Sequence, residues 1–456
     1  MKKIKTNEKF KRKAYSNQTG ITLIALVVTI VVLLILAGVT INALFGDTGI
    51  INRAKDAQNK MDQAAENDLN ALNELNEWLD GKINGTTGGD DNPSTSKLPS
   101  TDDTTPYYPD ETFTKDPDTN LDNGLVIKDS IGNEYVWIEV PKSLYANSSY
   151  NTETTTGDQK PSSSTEYDKI EYCLHKCTDY YRRNKSGTLT SYTDTYSSDA
   201  AAGLTETQYT ELKQKMLKSV YENGGFWIGR YEAGITENRT ASGDTTVAPL
   251  SKQGTVENPI YPYTYITCSQ AQTLTSQLST GKSYTSSLMF GVQWDLALKH
   301  IEVKEVAKGT ALATIQNALR SDSTGWGNYY KASFTINRGK YAQYGALDTW
   351  YNYNTALENC VTYEDGISKK VSASSSSNSI LLTTGASDAC KKMNIYDLAG
   401  NVWEWTLEYS ADTGIPCASR GGVYYDFGSL FPVSNRDIGY TAYSGNNIGF
   451  RPSLFK

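Results

Sequence analysis

The segment NIYDLAGNVWEW (residues 394–405) sets the architecture expected for this chain. Two shorter segments complete the pattern, SRGG at 419–422 and NIGFRP at 447–452. Between these two, residues 423–447 are dominated by Tyr, Ser, Asn, Asp, Gly and Phe. Rigid aromatic rings combined with short polar side chains are typical of adaptable binding surfaces. The carboxyl-terminal part of the chain therefore predicts recognition more than catalysis.

Composition excludes several classes of function. The chain has 456 residues, 38% of them hydrophobic, which predicts one sizeable core plus linkers. A net charge of -8 without a basic stripe beyond the amino terminus argues against nucleic-acid binding. The two histidines, His175 and His300, nearly exclude a His-based zinc site or a Ser-His-Asp triad. Six cysteines form an even set, and the sequence leaves their pairing open.

The amino terminus predicts export and anchoring. Lys and Arg are frequent in residues 1–20, and residues 21–45 are apolar apart from three Thr and Asn42. A stretch of this length can span a bilayer as a helix. Because basic flanks stay in the cytoplasm, the remainder of the chain is expected outside the cell. We therefore predict a basic leader at 1–20 and a transmembrane helix at 21–45.

The segment GITLIA at 20–25 resembles the leader of type IV prepilins and pseudopilins, in which a basic leader ends in Gly before an apolar helix. The resemblance implies cleavage between Gly20 and Ile21 by a prepilin peptidase, and partners among pilin or pseudopilin subunits. Ile21 and Ala25 stand where the family usually has Phe and Glu. This departure favours a minor, tip-located subunit or a plain membrane anchor over a major filament subunit.

Three regions are expected beyond the span. Residues 46–83 carry apolar residues at steps of three and four, which predicts an amphipathic helical stalk. Residues 84–123 are rich in Gly, Asp, Thr, Ser and Pro, which predicts a disordered linker. The folded domain is expected at 124–456, with polar surface insertions at 147–165 and 372–379.

Strand and helix patterns mix in this distal domain without a regular βαβ alternation. Residues 125–127 and 132–141 predict two strands joined by a Gly-Asn turn, and residues 224–234 predict another strand. The helix candidates are 205–221, 269–278, 294–303 and 309–320. An α+β class fits this order better than a doubly wound sheet.

Taken in order, these segments resemble the formylglycine-generating enzyme and sulfatase-modifying-factor family. The segments that carry the resemblance are GNEYVW (132–137), GFWIGRYE (225–232), LAGNVWEW (398–405) and GFR (449–451). The resemblance covers roughly residues 123–456 and implies a loop-rich variant of the C-type lectin fold.

The same resemblance implies a calcium site in the segment LAGNVWEW and just before it. The Asp397 and Glu404 carboxylates and the Gly400 and Val402 carbonyls would supply the oxygen ligands that Ca²⁺ prefers. The alternative is structural: Trp403 and Trp405 fill the core while Glu404 pairs with an arginine such as Arg451. The sequence does not choose between the two.

Active members of the family oxidise a substrate cysteine with copper held by two thiolates, the soft ligands that Cu(I) selects. Those thiolates lie between the Gly-Gly and Gly-Phe-Arg anchors. No cysteine follows Cys417 here, and the spacing puts Asp426 and Phe431 at the thiolate positions. The iron-dependent relatives need a His-rich site that two histidines cannot supply. We therefore expect neither copper nor enzymatic activity.

The spacing of SRGG and NIGFRP also resembles the variable proteins of diversity-generating retroelements. In those proteins, mutagenised adenines let Asn codons become many residues but never Lys, Gln, Glu, Met or Trp, and residues 423–447 contain none of these five types. This segment is the expected variable region. The residues expected to face a ligand are Tyr424, Tyr425, Asp426, Phe427, Ser429, Phe431, Ser434, Asn435, Asp437, Tyr440, Tyr443 and Ser444. Those expected to hold the frame are Gly421, Gly422, Gly449 and Arg451.

Together these patterns predict a display protein of the bacterial cell envelope, either single-pass or pilus-associated. Its extracellular domain would bind an unknown protein or glycan through a diversified pocket. Two alternatives stay open, an extracellular enzyme of the sulfatase-modifying-factor family and a structural minor pilin or pseudopilin.

Overall fold

A computed structural model of the chain describes residues 97–146, 167–184, 186–200, 202–411 and 414–456. The predicted leader, transmembrane helix and stalk, together with Gly20 and Ile21, lie outside these residues. Within the part that the structure describes, no helix has both the length and the apolar character needed to cross a bilayer.

The helices begin and end at local sequence signals. They are α1 (Lys142–Tyr145), α2 (Tyr167–Cys177), α3 (Asp179–Arg182), α4 (Glu206–Asn223), α5 (Cys268–Gln277), α6 (Gly291–Ala307) and α7 (Leu312–Arg320). Thr205 and Gln208 form a capping box at the start of α4, and Gly224 ends that helix in the left-handed conformation. Thr267 and Gln270 cap α5 in the same way. The four helices predicted between residues 205 and 320 are confirmed as α4 to α7.

The strands alternate irregularly with these helices. They are β1 (Thr114–Lys115), β2 (Val126–Lys128), β3 (Glu134–Glu139), β4 (Tyr192–Thr193), β5 (Gly225–Gly229), β6 (Gly234–Ile235), β7 (Tyr261–Pro262), β8 (Thr285–Leu288), β9 (Phe334–Ile336), β10 (Lys340–Gln343), β11 (Trp350–Asn352), β12 (Val361–Glu364), β13 (Ile367–Lys370), β14 (Ile380–Leu382), β15 (Lys391–Lys392), β16 (Ile395–Tyr396), β17 (Trp403–Ser410), β18 (Cys417–Arg420), β19 (Arg436–Gly439), β20 (Ile448–Phe450) and β21 (Pro452–Phe455). Antiparallel pairing predominates in this mixture of helices and small sheets, as the α+β prediction requires.

A six-stranded sheet in the order β1-β2-β3-β5-β21-β8 forms the centre of the domain. Every residue of β5 is buried, so this strand is covered on both faces. Phe226 and Ile228 face the main hydrophobic core, while Trp227 joins Trp137 in a second cluster, their rings 5.0 Å apart. The predicted hairpin of β2 and β3 is confirmed, and the last strand, β21, lies between β5 and β8.

The structure departs from the predicted boundary of the linker. Residues 97–123 are part of the folded domain, because β1 pairs with β2 and the side chains of Leu98 and Phe113 are buried. The Tyr107 ring lies edge-on to Trp137 at 5.6 Å. Few apolar residues are needed in this segment since each of them covers the second face of the central sheet. The low apolar content of the segment therefore did not indicate disorder.

A second sheet, in the order β19-β18-β17-β20, carries the carboxyl-terminal motifs. Its central strand, β17, pairs antiparallel with β18 and parallel with β20. Because of this topology, the chain leaves β18 and enters β20 at the same end of the sheet, beside Trp403 and Glu404. The connection from β18 to β19 is named loop A (residues 421–435). The connection from β19 to β20 is named loop B (residues 440–447).

Candidate functional site

A buried ion pair joins the carboxyl-terminal motif to β17. The Arg451 guanidinium donates to both carboxylate oxygens of Glu404, at 2.6 and 3.0 Å. Its remaining N–H groups bond the carbonyls of Gly229 and Tyr396, each at 2.9 Å. An arginine with a bidentate carboxylate partner and two carbonyl acceptors suits such a buried position. In the structure Glu404 therefore pairs with Arg451, which is the structural alternative to calcium binding given above.

A second buried network lies beneath loop A. Asp295 on α6 accepts from Arg420 on β18 and from Arg436 on β19, both at 2.6 Å. Glu408 on β17 accepts from the same two arginines at 2.9 and 2.6 Å. The four side chains are nearly inaccessible to solvent, and two cations balance two anions. The sequence analysis missed this network, although a lone Asp in the apolar run VQWDLAL was a usable signal.

Loop A contains a glycine, Gly422, whose replacement by a larger residue would force neighbouring atoms to move. Gly422 has a φ of 84°, and a Cβ there would lie 2.6 Å from the Phe431 carbonyl oxygen and 2.7 Å from the Tyr329 ring. The Tyr329 hydroxyl also donates to the Gly421 carbonyl at 2.7 Å. This close packing agrees with the prediction that Gly421 and Gly422 hold the backbone framework of the loop.

Loop B crosses one face of the sheet. A Cβ on Gly439 would lie 2.5 Å from the Trp405 ring, and Tyr443 further along contacts the same ring edge-on. The Tyr265 N–H donates to the Gly445 carbonyl at 2.8 Å. Loop B is therefore fixed at both its centre and its end.

The two loops meet in a group of exposed tyrosines. Asn447 donates from Nδ2 to the Tyr425 hydroxyl at 2.9 Å and accepts from the Tyr443 hydroxyl at 2.8 Å. The Tyr344 ring, from outside both loops, lies 5.0 Å from the Tyr425 ring. We name Tyr344, Tyr425 and Tyr443 the tyrosine cluster. Tyr344 and Tyr443 are each more than one third exposed, so the cluster offers aromatic area to solvent.

Two carboxylates accompany the aromatic side chains. Asp426 in loop A and Asp437 on β19 are both partly buried, and burial raises the pKa of each. The charge of Asp437 raises the pKa of Asp426 further, which places the two groups near each other. Such a pair favours ligands that donate hydrogen bonds or carry positive charge.

The structure separates the twelve predicted ligand residues into three sets. Those exposed are Phe427, Tyr440 and Tyr443. Those partly exposed are Tyr425, Asp426, Ser429, Phe431, Asn435, Asp437 and Ser444. Tyr424 and Ser434 are buried, and the prediction that they face a ligand is corrected. The Tyr424 ring belongs to the main core, and the Ser434 N–H donates to Leu319. Sequence reasoning missed Tyr344 because it lies far from the motif.

The predicted calcium ligands are only partly available. Both Glu404 oxygens are taken by Arg451, as described above. Asp397 accepts from the Gly385 N–H at 2.7 Å through Oδ2, while its buried Oδ1 has no hydrogen-bond partner. Glu232 accepts from Asn401 through Oε1, and its buried Oε2 also has no partner. Burial raises the pKa of Asp397 to about 7 and that of Glu232 well above its usual value. A proton or a cation would satisfy these orphaned oxygens.

A further group of ionisable residues lies at the start of α6. Glu171, His175 and Asp194 offer ligand atoms within 4.8 Å of one another, the one such group among the residues described. Lys213 lies 2.8 Å from Glu171, and Asp194 accepts from the first two N–H groups of α6, both at 2.7 Å. Lys213 and the backbone N–H groups of α6 thus already occupy carboxylate oxygens of this group, and Asp194 caps α6.

Asp426 and Phe431, where the spacing predicts the copper thiolates of the family, lie in loop A. Asp426 is partly exposed there, and the Phe431 ring packs edge-on against Trp403 at 5.5 Å. All six cysteines are buried, and none belongs to loop A or loop B.

One comparison with known proteins identifies a family for this domain. Residues 201–453 match the family described as "Sulfatase-modifying factor enzyme 1-like domain". A solved structure described as "Crystal Structure of CarF" is similar at 14% sequence identity, covering 51% of this chain and 86% of that one with a TM-score of 0.26. No curated protein matches the chain.

Proposed function

Because the chain belongs to the sulfatase-modifying factor enzyme 1-like domain family, we propose that it uses this scaffold to bind a ligand and not to turn over a substrate. The observation that carries the proposal is the tyrosine cluster, in which side chains from loop A, loop B and Tyr344 meet at the surface. Tyrosines held by hydrogen bonds give contact area at a low entropic cost. The buried ion pairs beneath them keep the loops in place.

The chemistry of loop A also favours binding. A carboxylate and a phenyl ring at positions 426 and 431 do not supply the soft thiolate pair of the copper-dependent relatives. Neither loop contains a cysteine, so the loops themselves offer no thiolate. The remaining side chains of the loops are suited to contact and hydrogen bonding.

The proposed setting is display at the bacterial cell envelope. The support is the prepilin-like segment around Gly20 and Ile21 and the apolar stretch at 21–45. In this proposal a prepilin peptidase processes the leader, and the domain faces outwards on a membrane anchor or within a pilus or pseudopilus.

We further propose that residues 423–447 are diversified by a retroelement. If so, sequencing the 3′ end of the gene and its flanks in many sibling isolates will show substitutions concentrated at adenine-derived codons for exposed positions such as Tyr440 and Phe427. Codons for the buried Tyr424 and Arg436 should vary least, because changes there disturb the core. A segment as constant as the rest of the gene, with no nearby template copy, would contradict the proposal.

Ligand binding should depend on the tyrosine cluster. With the strongest ligand found on a glycan array or in a displayed peptide library as probe, Tyr425→Ala and Tyr443→Ala are each expected to weaken binding about 30-fold or more, as for central aromatic contacts. Tyr363→Ala is the matched control, because Tyr363 is similarly exposed but lies on β12. Titration by calorimetry measures the affinities, and thermal melting confirms that each variant is folded.

Equal affinity of all three variants would contradict this assignment of the site. Retention of an enzymatic turnover that the tyrosine variants leave unchanged would favour the enzyme alternative. Absence of any ligand for the wild-type domain would favour the structural pilin.

Calcium is proposed as a structural ligand at the orphaned oxygens of Asp397 and Glu232, with the Gly400 and Val402 carbonyls as the further predicted donors. Adding 1 mM Ca²⁺ after chelation is expected to stabilise the domain by about 2–3 kcal/mol for a dissociation constant near 10 μM. Asp397→Asn should abolish the increase. Unchanged melting of the wild-type protein with Ca²⁺ and with chelator would contradict a calcium site.

A further inference from the structure

Two cysteines from distant parts of the chain meet inside the domain. Cys268 is the first residue of α5, and Cys417 is the first residue of β18. Both residues line one pocket, the two thiols shift each other's pKa, and the Cys268 thiol lies 3.6 Å from the Thr406 carbonyl oxygen. Both side chains are almost completely buried. The sequence left cysteine pairing open, and the fold brings these two together.

The paired thiols lie at the wall of a pocket of about 650 Å³. The other lining residues are small or polar, among them Ser198, Asp199, Gly203, Ser269 and Thr441. A pocket of this size and polarity can admit a small hydrophilic thiol such as glutathione. Reagents can therefore approach the pair although the thiols themselves are buried.

The surroundings distinguish Cys417 from Cys268, whose pKa is raised by its interaction with Cys417 and by burial, and from three other cysteines. The interaction with Cys268 lowers the pKa of Cys417, which favours a thiolate there. Burial raises the pKa of Cys177, Cys360 and Cys390, which disfavours thiolates at those positions. Since the thiolate is the attacking species in exchange, Cys417 is the cysteine best prepared to react.

We propose that Cys268 and Cys417 form a reversible disulfide through exchange with a small disulfide that enters this pocket. The Cys417 thiolate attacks one sulfur of oxidised glutathione, which forms a mixed disulfide and releases one glutathione thiolate. The Cys268 thiol then loses its proton to solvent and attacks the Cys417 sulfur, which releases the second glutathione. Two protein thiols are oxidised and one glutathione disulfide is reduced to two thiols.

The disulfide would fasten α5 to the strand that supports both loops. Cys417 pairs with Gly439 across β18 and β19, immediately before Tyr440 of loop B. A link that closes so long a segment restricts the unfolded chain strongly. We expect the oxidised protein to melt at least about 5 °C above the reduced protein.

The test uses the full chain equilibrated in glutathione buffers of increasing oxidised fraction, then acid-quenched, alkylated and analysed by peptide mass spectrometry. The expected result is a linked peptide containing Cys268 and Cys417, with the other four cysteines alkylated. Cys268→Ser should instead leave Cys417 carrying one glutathione, and Cys360→Ser should leave the linked peptide unchanged. Alkylation of both Cys268 and Cys417 at every ratio, or preferential linkage of other cysteines, would overturn the proposal. Peptide mapping of the wild-type protein tests the proposal even if a variant fails to fold.

Discussion

Arg420→Met is expected to lower the free energy of unfolding by about 3–5 kcal/mol, the usual effect of removing one partner from a buried ion pair. The substitution leaves Asp295 and Glu408 with one arginine between them in a site closed to solvent. Methionine fills much of the volume but neutralises neither carboxylate. Urea unfolding followed by tryptophan fluorescence measures the loss.

The matched control is Arg183→Met, which removes an exposed arginine from its pair with Asp179. Exposed pairs contribute about 0–1 kcal/mol, so the control should differ little from the wild type. Equal losses in the two variants would show that the buried network does not stabilise the strands beneath loop A.

Asp397→Asn is expected to stabilise the domain at pH 8 but not at pH 4, when both proteins are measured with a chelator present. Burial raises the pKa of Asp397 from 3.8 to about 7. Below pH 4 Asp397 is protonated in both the folded and the unfolded state, so it imposes no penalty on the free energy of unfolding. As the pH rises from 4 to 7, the unfolded state loses the proton first, and stability falls.

Above pH 7 the folded state carries a buried carboxylate with one unpartnered oxygen, a penalty on the order of 4 kcal/mol. The amide removes this penalty, and asparagine tolerates the left-handed backbone at this position (φ 55°). Some pH dependence will persist because Glu232 is also buried and has a raised pKa. Thermal melting from pH 4 to pH 8 is the measurement.

Asp122→Asn is the control, since Asp122 is 91% exposed and should show the wild-type pH profile. A wild-type stability that increases steadily from pH 4 to pH 8, with no gain from Asp397→Asn, would mean that Asp397 is charged and paired in the folded state.

Local patterns in the sequence predicted four of the helices and the strands β2, β3 and β5. Two of these helices, predicted at 205–221 and 269–278, follow the capping residues Thr205 and Thr267 in the structure. The hydrophobic run GFWIG marks a strand covered on both faces. The pairing of Glu404 with Arg451 was one of two arrangements that the sequence left open, and the structure shows this one.

The remaining features depend on contacts between distant residues. Tyr424 and Tyr425 are adjacent and chemically identical, yet one lies in the core and the other at the surface. The direction of each side chain follows from the turn after Gly422, and no periodic pattern describes that turn. Tyr344 joins the site only through the fold, and the polar segment before residue 123 is ordered only because the central sheet has a second face to cover.

The position of β21 has a consequence for how the protein is made. This strand completes the middle of the central sheet, between β5 and β8, and it is synthesised after the other five strands of that sheet. The gap between β5 and β8 can close only after the ribosome has released β21. The nascent chain therefore lacks its full set of sheet contacts until β21 has been synthesised. Until then the facing edges of β5 and β8 stay unpaired, and unpaired strand edges make a folding intermediate prone to aggregation.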